Sequence, residues 1–88
     1  MWWVYIVLCA DNTLYTGVTT DVRRRLREHN NTPRGAKYTR ARRPVVLAYK
    51  KEYSSRTAAQ SAEHSLKKQT RAQKLEIIKK YSQTGSSR

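Results

Sequence analysis

The sequence predicts an α+β domain with elements in the order β-β-α-(short helix or loop)-β-α-α. Three observations predict it. Two β-prone runs, Trp2 to Cys9 and Leu14 to Thr19, stand on either side of the turn signal Asp11-Asn12. A third such run, Val45 to Tyr49, follows Pro44 and reaches about Tyr53. The stretches after the second and third runs carry apolar residues at helical spacing.

The first run, Trp2-Trp3-Val4-Tyr5-Ile6-Val7-Leu8-Cys9, is continuously apolar and rich in β-branched and aromatic residues, as in a buried strand. It pairs with Leu14 to Thr19 as a hairpin. Side chains alternate between sheet faces, so the loop length decides whether Tyr5 and Tyr15 meet. A two-residue loop separates them, whereas a loop of three or five residues unites them. The residues alone leave that choice open.

Asp21 is the best cap for the helix that follows, with Thr19 and Thr20 as alternatives, and that helix runs to Asn30 or Asn31. Val22 and Leu26 define its apolar stripe. At ~100° per residue Arg25 and His29 fall beside the stripe, and Arg23, Arg24 and Arg27 fall away from it. Thr32-Pro33-Arg34-Gly35 ends the helix. Ala36 to Arg43 is a basic loop or short helix ended by Pro44. Ser54-Ser55 opens a helix to about Gln69 with the stripe Ala58, Ala59, Ala62 and Leu66, Glu63 at its edge, and His64 pointing away. A last helix, about Arg71 to Tyr81, carries the apolar stripe Ala72, Leu75 and Ile78 on one side. Residues 1–82 read as one domain and 83–88 as a flexible polar tail.

The chain of 88 residues carries 19 Lys and Arg against six Asp and Glu, a formal charge of +13. The excess is regional: Arg23 to Lys51 holds eleven basic residues and the single acid Glu28. Such a segment is suited to phosphates, and Arg24, Lys37, Arg40, Arg42 and Arg43 are the candidate nucleic-acid contacts. Charge alone does not separate a nuclease from a DNA- or RNA-binding module. The single cysteine, Cys9, lies in the apolar first run and reads as a buried structural thiol. It excludes a disulfide framework within the chain, and no disulfide-linked partner is expected. No apolar run approaches the ~18 residues of a membrane span, and the start reads as a strand, not as a signal peptide. Cytoplasmic location and a monomer are the default expectations.

Taken singly, the candidate site residues have ordinary roles. Tyr5 and Tyr15 are strand tyrosines whose phenols, with a pKa of ~10, are poor bases unless cations stabilise the phenolate. Arg25 aims its planar donor fork inward, where a phosphate is a natural partner. His29 sits one turn on. Glu63 pairs at i,i+4 with Lys67 or holds a metal as a lone carboxylate. No His/Cys cluster has zinc spacing.

The ordered set Tyr5, Tyr15, Gly17, Arg25, His29 and Glu63 resembles the GIY-YIG nuclease family, whose two tripeptides read here Trp3-Val4-Tyr5 and Tyr15-Thr16-Gly17. The resemblance spans about residues 3 to 66. Tyr15 to Asn30 and Gly35-Ala36-Lys37-Tyr38-Thr39-Arg40 look like the small stand-alone bacterial members. It implies a three-stranded antiparallel sheet flanked by helices, and therefore the odd loop. It also implies a site on one concave face. There Tyr5, supported by Tyr15, helps to activate water, Arg25 steadies the scissile phosphate, His29 joins them, and Glu63 binds one Mg²⁺ or Mn²⁺, held weakly without substrate. Arg25 and the metal would lower the phenol's pKa once substrate is bound. The implied activity is metal-dependent endonucleolytic cleavage of DNA, selective for structure, with a weakly catalytic DNA- or RNA-binding module as the alternative. The chain departs from the family pattern in four places. Trp3-Val4 stand at the first two positions of the first tripeptide, Thr16 stands at the central isoleucine of the second, no lysine follows it in Val18-Thr19-Thr20, and no asparagine follows Glu63.

Overall fold

The computed structural model describes residues 1–32 and 34–83. It places strands β1 (Trp2–Leu8), β2 (Leu14–Thr19) and β3 (Val46–Tyr53), and helices α1 (Val22–Asn31), α2 (Lys37–Arg40), α3 (Arg56–Lys67) and α4 (Arg71–Gln83). The strands form one antiparallel sheet in the order β2-β1-β3, so the most apolar strand is central. The architecture is the α+β sheet with flanking helices that the sequence predicts. Gln83 belongs to α4, and the rest of the expected tail lies outside the described residues.

The hairpin register pairs Tyr5 with Gly17 and Val7 with Tyr15. The ladder closes with Cys9 N–H donating to Thr13 O at 2.8 Å, which leaves a three-residue loop. Asn12 takes the left-handed conformation there, with φ at 72°, a position asparagine tolerates. Both hydrogen bonds from Thr13, N–H and hydroxyl, go to the Asp11 carboxylate. The odd loop puts Tyr5 and Tyr15 on one face.

The alternation gives the sheet two apolar sides. Val4 and Ile6 pack against Ala59 and Leu66 of α3, joined by Trp2, Leu14, Val18, Tyr49, Tyr53, Ala62, Ile77 and Ile78. Tyr5, Val7 and Cys9 face the other way, with Val45, Tyr15, Leu26 and Leu47. A bulge between Ile6 and Val7 leaves Ala48 unmatched on β3. It restores the alternation so that Leu47 joins Val7 and Tyr49 joins Ile6.

Local chemistry sets the helix ends. Asp21 caps α1 by accepting from Arg24 N–H at 3.0 Å, and Ser55 caps α3 by accepting from Ala58 N–H at 3.1 Å. Thr70 and Gln73 exchange side-chain and backbone bonds as a capping box for α4. Two expected stripes are corrected. Ala58 is exposed, leaving Ala59, Ala62 and Leu66 as the seam of α3. On α4, Ala72 and Leu75 are exposed, and Ile77, Ile78 and Tyr81 turn inward. The reason is tertiary: α4 packs by Tyr81 edge-on against Tyr49 of β3, 5.4 Å between rings, which rotates the helix away from the expected face.

No helix among the described residues is long and apolar enough to cross a membrane.

Candidate active site

The face of β1 and β2 away from α3 carries Tyr5, Tyr15 and Gly17, and α1 crosses it. Arg25, beside the apolar stripe of α1, is half-buried, whereas Arg23, Arg24 and Arg27 are exposed. His29 is completely buried, at 0% exposure, beneath the two tyrosines. The Tyr5 hydroxyl lies 2.7 Å from His29 Nε2. The Tyr15 ring stands edge-on to the same imidazole, 5.4 Å between centroids. On the far side, His29 Nδ1 lies 2.8 Å from the Thr39 hydroxyl, which is also fully buried.

Two glycines let these groups approach. The Tyr5 ring lies over Gly17: a Cβ there would stand 2.5 Å from the phenol oxygen and 2.7 Å from Cζ. At Gly35 a Cβ would meet Glu28 O at 2.7 Å and His29 Cα at 2.8 Å, so only glycine lets this loop close on the end of α1.

Arg25 is braced from two sides. Its Nη1 donates to Glu28 Oε1 at 2.9 Å and to Arg34 O at 2.8 Å. Glu28, the lone acid of the basic segment, thereby orients the arginine, and Arg25 in turn holds the Glu28 carboxyl below the usual range. The guanidinium stands beside the Tyr5 oxygen and pulls its pKa down. Burial outweighs that pull and pushes the phenol up to about 12. In the free protein desolvation of the anion is thus the larger effect; the expected lowering concerns the substrate-bound state. His29 is lowered to about 4, first by burial and then by the Arg25 charge, so the imidazole is neutral at physiological pH.

Among the described residues Glu63 is joined to the other four by no hydrogen bond or ion pair. It projects from α3, which packs on the opposite sheet face, and it pairs with Lys67 Nζ at 3.2 Å. Its negative charge still reaches the Tyr5 phenol, which it raises. No three His, Cys, Asp or Glu side chains gather as a metal cage among the described residues. A single part-buried carboxylate fits a hard divalent ion that takes most of its ligands from water and substrate phosphate. The described residues enclose no pocket.

The five candidate contacts of the basic segment divide. Arg24, Lys37 and Arg40 are exposed, and Arg24 also pairs with Glu28 at 3.8 Å. Arg43 is corrected: it donates to the carbonyls of Glu28, His29 and Thr32, closing the C-terminus of α1. Glu28 O also accepts from Thr32 N–H and hydroxyl, and Thr32 O from Gly35 N–H, so the guanidinium adds to these bonds and brings favourable charge to the helix end. Arg42 is likewise engaged, with Asp11 at 3.0 Å, Tyr38 O at 2.8 Å and the Tyr38 ring 4.0 Å below its guanidinium. Tyr38 stacks on Tyr15, so Arg42 buttresses the second site tyrosine.

Sequence reasoning missed Glu28, Asn30, Gly35 and Thr39 as parts of this construction. The i,i+3 spacing of Arg25 and Glu28 was a usable signal. Asn30 was not visible as anything but a helix end. It exchanges both amide bonds with the Val45 backbone, at 3.0 and 2.7 Å, and so ties the start of β3 to α1.

The chain resembles known proteins in sequence and in fold. Residues 1–76 match the GIY-YIG catalytic domain family. A UPF0213 protein of Streptococcus sanguinis is 52% identical over 81 residues, covering 92% of each chain. One from Haloquadratum walsbyi is 53% identical over 75 residues, covering 85% of this chain and 83% of that one. A solution NMR structure of a protein from E. faecalis superimposes with a TM-score of 0.61 at 43% identity, covering 91% of this chain and 84% of that one. The UPF0213 protein of Bacillus halodurans, also solved by NMR, gives a TM-score of 0.58 at 38% identity, over 98% and 88% of the two chains.

Proposed function

Since the chain belongs to the GIY-YIG family, we propose that it is a divalent-metal-dependent endonuclease that hydrolyses phosphodiester bonds in DNA and selects structure over sequence. The observation that carries this reading is the 2.7 Å bond between Tyr5 Oη and His29 Nε2, with Arg25 beside it on a face of strongly positive charge.

Cleavage needs a base, a cation for the phosphate and charge stabilisation at the leaving oxygen. Water attacks phosphorus and gives a proton to Tyr5 Oη, as the phenol passes its own proton to His29 Nε2. The bond from phosphorus to the leaving oxygen breaks. The free imidazole is a weak acceptor, but a phosphate held by Arg25 partly neutralises the charge that depresses His29 and favours the imidazolium. Arg25 faces the equatorial oxygens with a fork that Glu28 and Arg34 O already hold in place. Glu63 would hold one Mg²⁺ or Mn²⁺, and that ion when bound supplies Lewis-acid stabilisation at the leaving oxygen. Tyr15 supports Tyr5 by walling the imidazole. Arg24, Lys37 and Arg40 engage the backbone of the substrate. Cytoplasmic location agrees with the unpaired, buried thiol of Cys9.

A second reading, a nucleic-acid-binding module with little catalysis, is favoured by one observation: Glu63 already has an ion-pair partner in Lys67. The test is a nicking assay on branched, nicked and single-stranded DNA with Mg²⁺, Mn²⁺ or EDTA, run beside a binding assay. The nuclease reading expects metal-dependent cuts that Glu63→Gln abolishes while binding stays. Binding without cleavage under every metal condition overturns it in favour of the module.

A further inference from the structure

We propose that Thr39 is a positioning residue that locks His29 in the tautomer whose Nε2 accepts the Tyr5 proton. The proposal assigns a purpose to the Gly35–Arg40 segment that its basic composition does not reveal. For its effect on cleavage it rests on the endonuclease reading; for the tautomer it does not.

The buried hydrogen bonds allow two arrangements, because Thr39 has one hydroxyl proton to place. In the first, that proton goes to Ala36 O at 2.9 Å. The Thr39 oxygen then presents a lone pair to His29 Nδ1 at 2.8 Å, so Nδ1 must carry the ring proton. Nε2 is left as an acceptor, and the Tyr5 hydroxyl donates to it at 2.7 Å. The Arg25 guanidinium, which can only donate, faces the remaining lone pairs of the phenol oxygen. Every short bond is made.

In the second arrangement Thr39 donates to Nδ1, joined by the longer 3.4 Å contact from Ala36 N–H. Nε2 then carries the proton and donates to Tyr5. The phenol oxygen now faces donors from both His29 and Arg25, and its own proton has no acceptor in either. That arrangement keeps one long bond at the cost of a buried, unpaired hydroxyl proton, which is the greater loss. The first arrangement prevails.

The consequence is directional. Only an unprotonated Nε2 can take the proton that Tyr5 must release. When the imidazolium forms, its Nδ1–H is already bound to Thr39, so no group has to reorient during proton transfer. Gly35 makes this possible, since its missing Cβ lets the segment close on the end of α1 and bring Thr39 beneath the ring.

The test reads the ring nitrogens directly. A long-range ¹H–¹⁵N correlation spectrum near pH 7 shows which nitrogen of His29 is protonated, with exposed His64 as the internal comparison. The expected result is a protonated Nδ1 and an unprotonated Nε2 in the parent and in Thr39→Ser, and loss of that preference in Thr39→Val. An Nε2–H tautomer in the parent overturns the proposal, and so does an unchanged tautomer in Thr39→Val. The parent spectrum decides the tautomer even if Thr39→Val does not fold. In the nicking assay, Thr39→Val should lower kcat at least about tenfold with KM unchanged, and Thr39→Ser should restore it. A parent that shows the Nδ1–H form but cuts nothing refutes the endonuclease reading and leaves the positioning role standing.

Discussion

The ring of Tyr5 occupies the space where any side chain at position 17 would stand. The two residues are directly opposite in the β1–β2 ladder, and the phenol reaches across the partner strand to His29 only because Gly17 is bare. Gly17→Ala should therefore displace the ring. It should destabilise the fold by about 1–3 kcal/mol, as overpacking does, and remove cleavage as fully as loss of the phenol. A melting curve and a nicking assay check both. Unaltered cleavage by a stable Gly17→Ala protein would show that the Tyr5 position is not needed.

Tyr5→Phe is the cleaner probe of the base. One hydroxyl is lost and the ring is kept, so DNA affinity should stay nearly intact while cleavage disappears. If Tyr5→Phe cuts at the parental rate and Tyr15→Phe is dead, the base is Tyr15. If both cut normally, the binding-module reading takes over.

Thr16 offers a gain in stability. Its hydroxyl is buried without a hydrogen-bond partner among the described residues, on the face packed against α3. Thr16→Val keeps the shape and removes the orphan group, so it should stabilise the protein by about 1 kcal/mol. Equilibrium denaturation measures this, and a lower midpoint would mean that the hydroxyl has found a partner.

The basic residues should separate by assay. Arg43→Ala takes the guanidinium from the carbonyls of Glu28, His29 and Thr32, leaving Glu28 O and Thr32 O their other donors, and should cost about 1–3 kcal/mol of stability. Charge reversal at exposed Lys37 and Arg40 should leave stability nearly unchanged and reduce the salt dependence of DNA binding by about two phosphate contacts. An unchanged slope in the double reversal would place the nucleic acid elsewhere.

Acid should reveal His29. Its folded pKa of about 4 lies below the 6.5 of an unperturbed histidine, so between these values the unfolded chain binds the extra proton. Stability conferred by the neutral buried imidazole is complete above pH 6.5 and is lost as pH falls toward 4. Glu28 and Asp11, whose pKa values are lowered, lose their contributions only below the ordinary carboxylate range. Thermal melts should thus decline on acidification from pH 6.5 to 4.5, on the order of a few kcal/mol. A flat profile across that window would exclude a buried neutral His29.

The order of elements, the Asp21 cap and the inward aim of Arg25 and His29 were legible in the sequence, because each follows from neighbours within one or two turns of chain. Apolar periodicity, a capping side chain and the helical wheel are local properties. What only the tertiary structure decided depends on residues far apart in the chain. The odd hairpin loop put Tyr5 and Tyr15 on one face. Gly35 admitted Thr39 beneath an imidazole ten residues earlier, and Arg43 turned to the carbonyls at the end of α1. Burial, finally, raises the pKa of the Tyr5 phenol in the free protein against the pull of Arg25. Cations are countable in a sequence, but the desolvation that opposes them exists only once the chain has closed over the phenol.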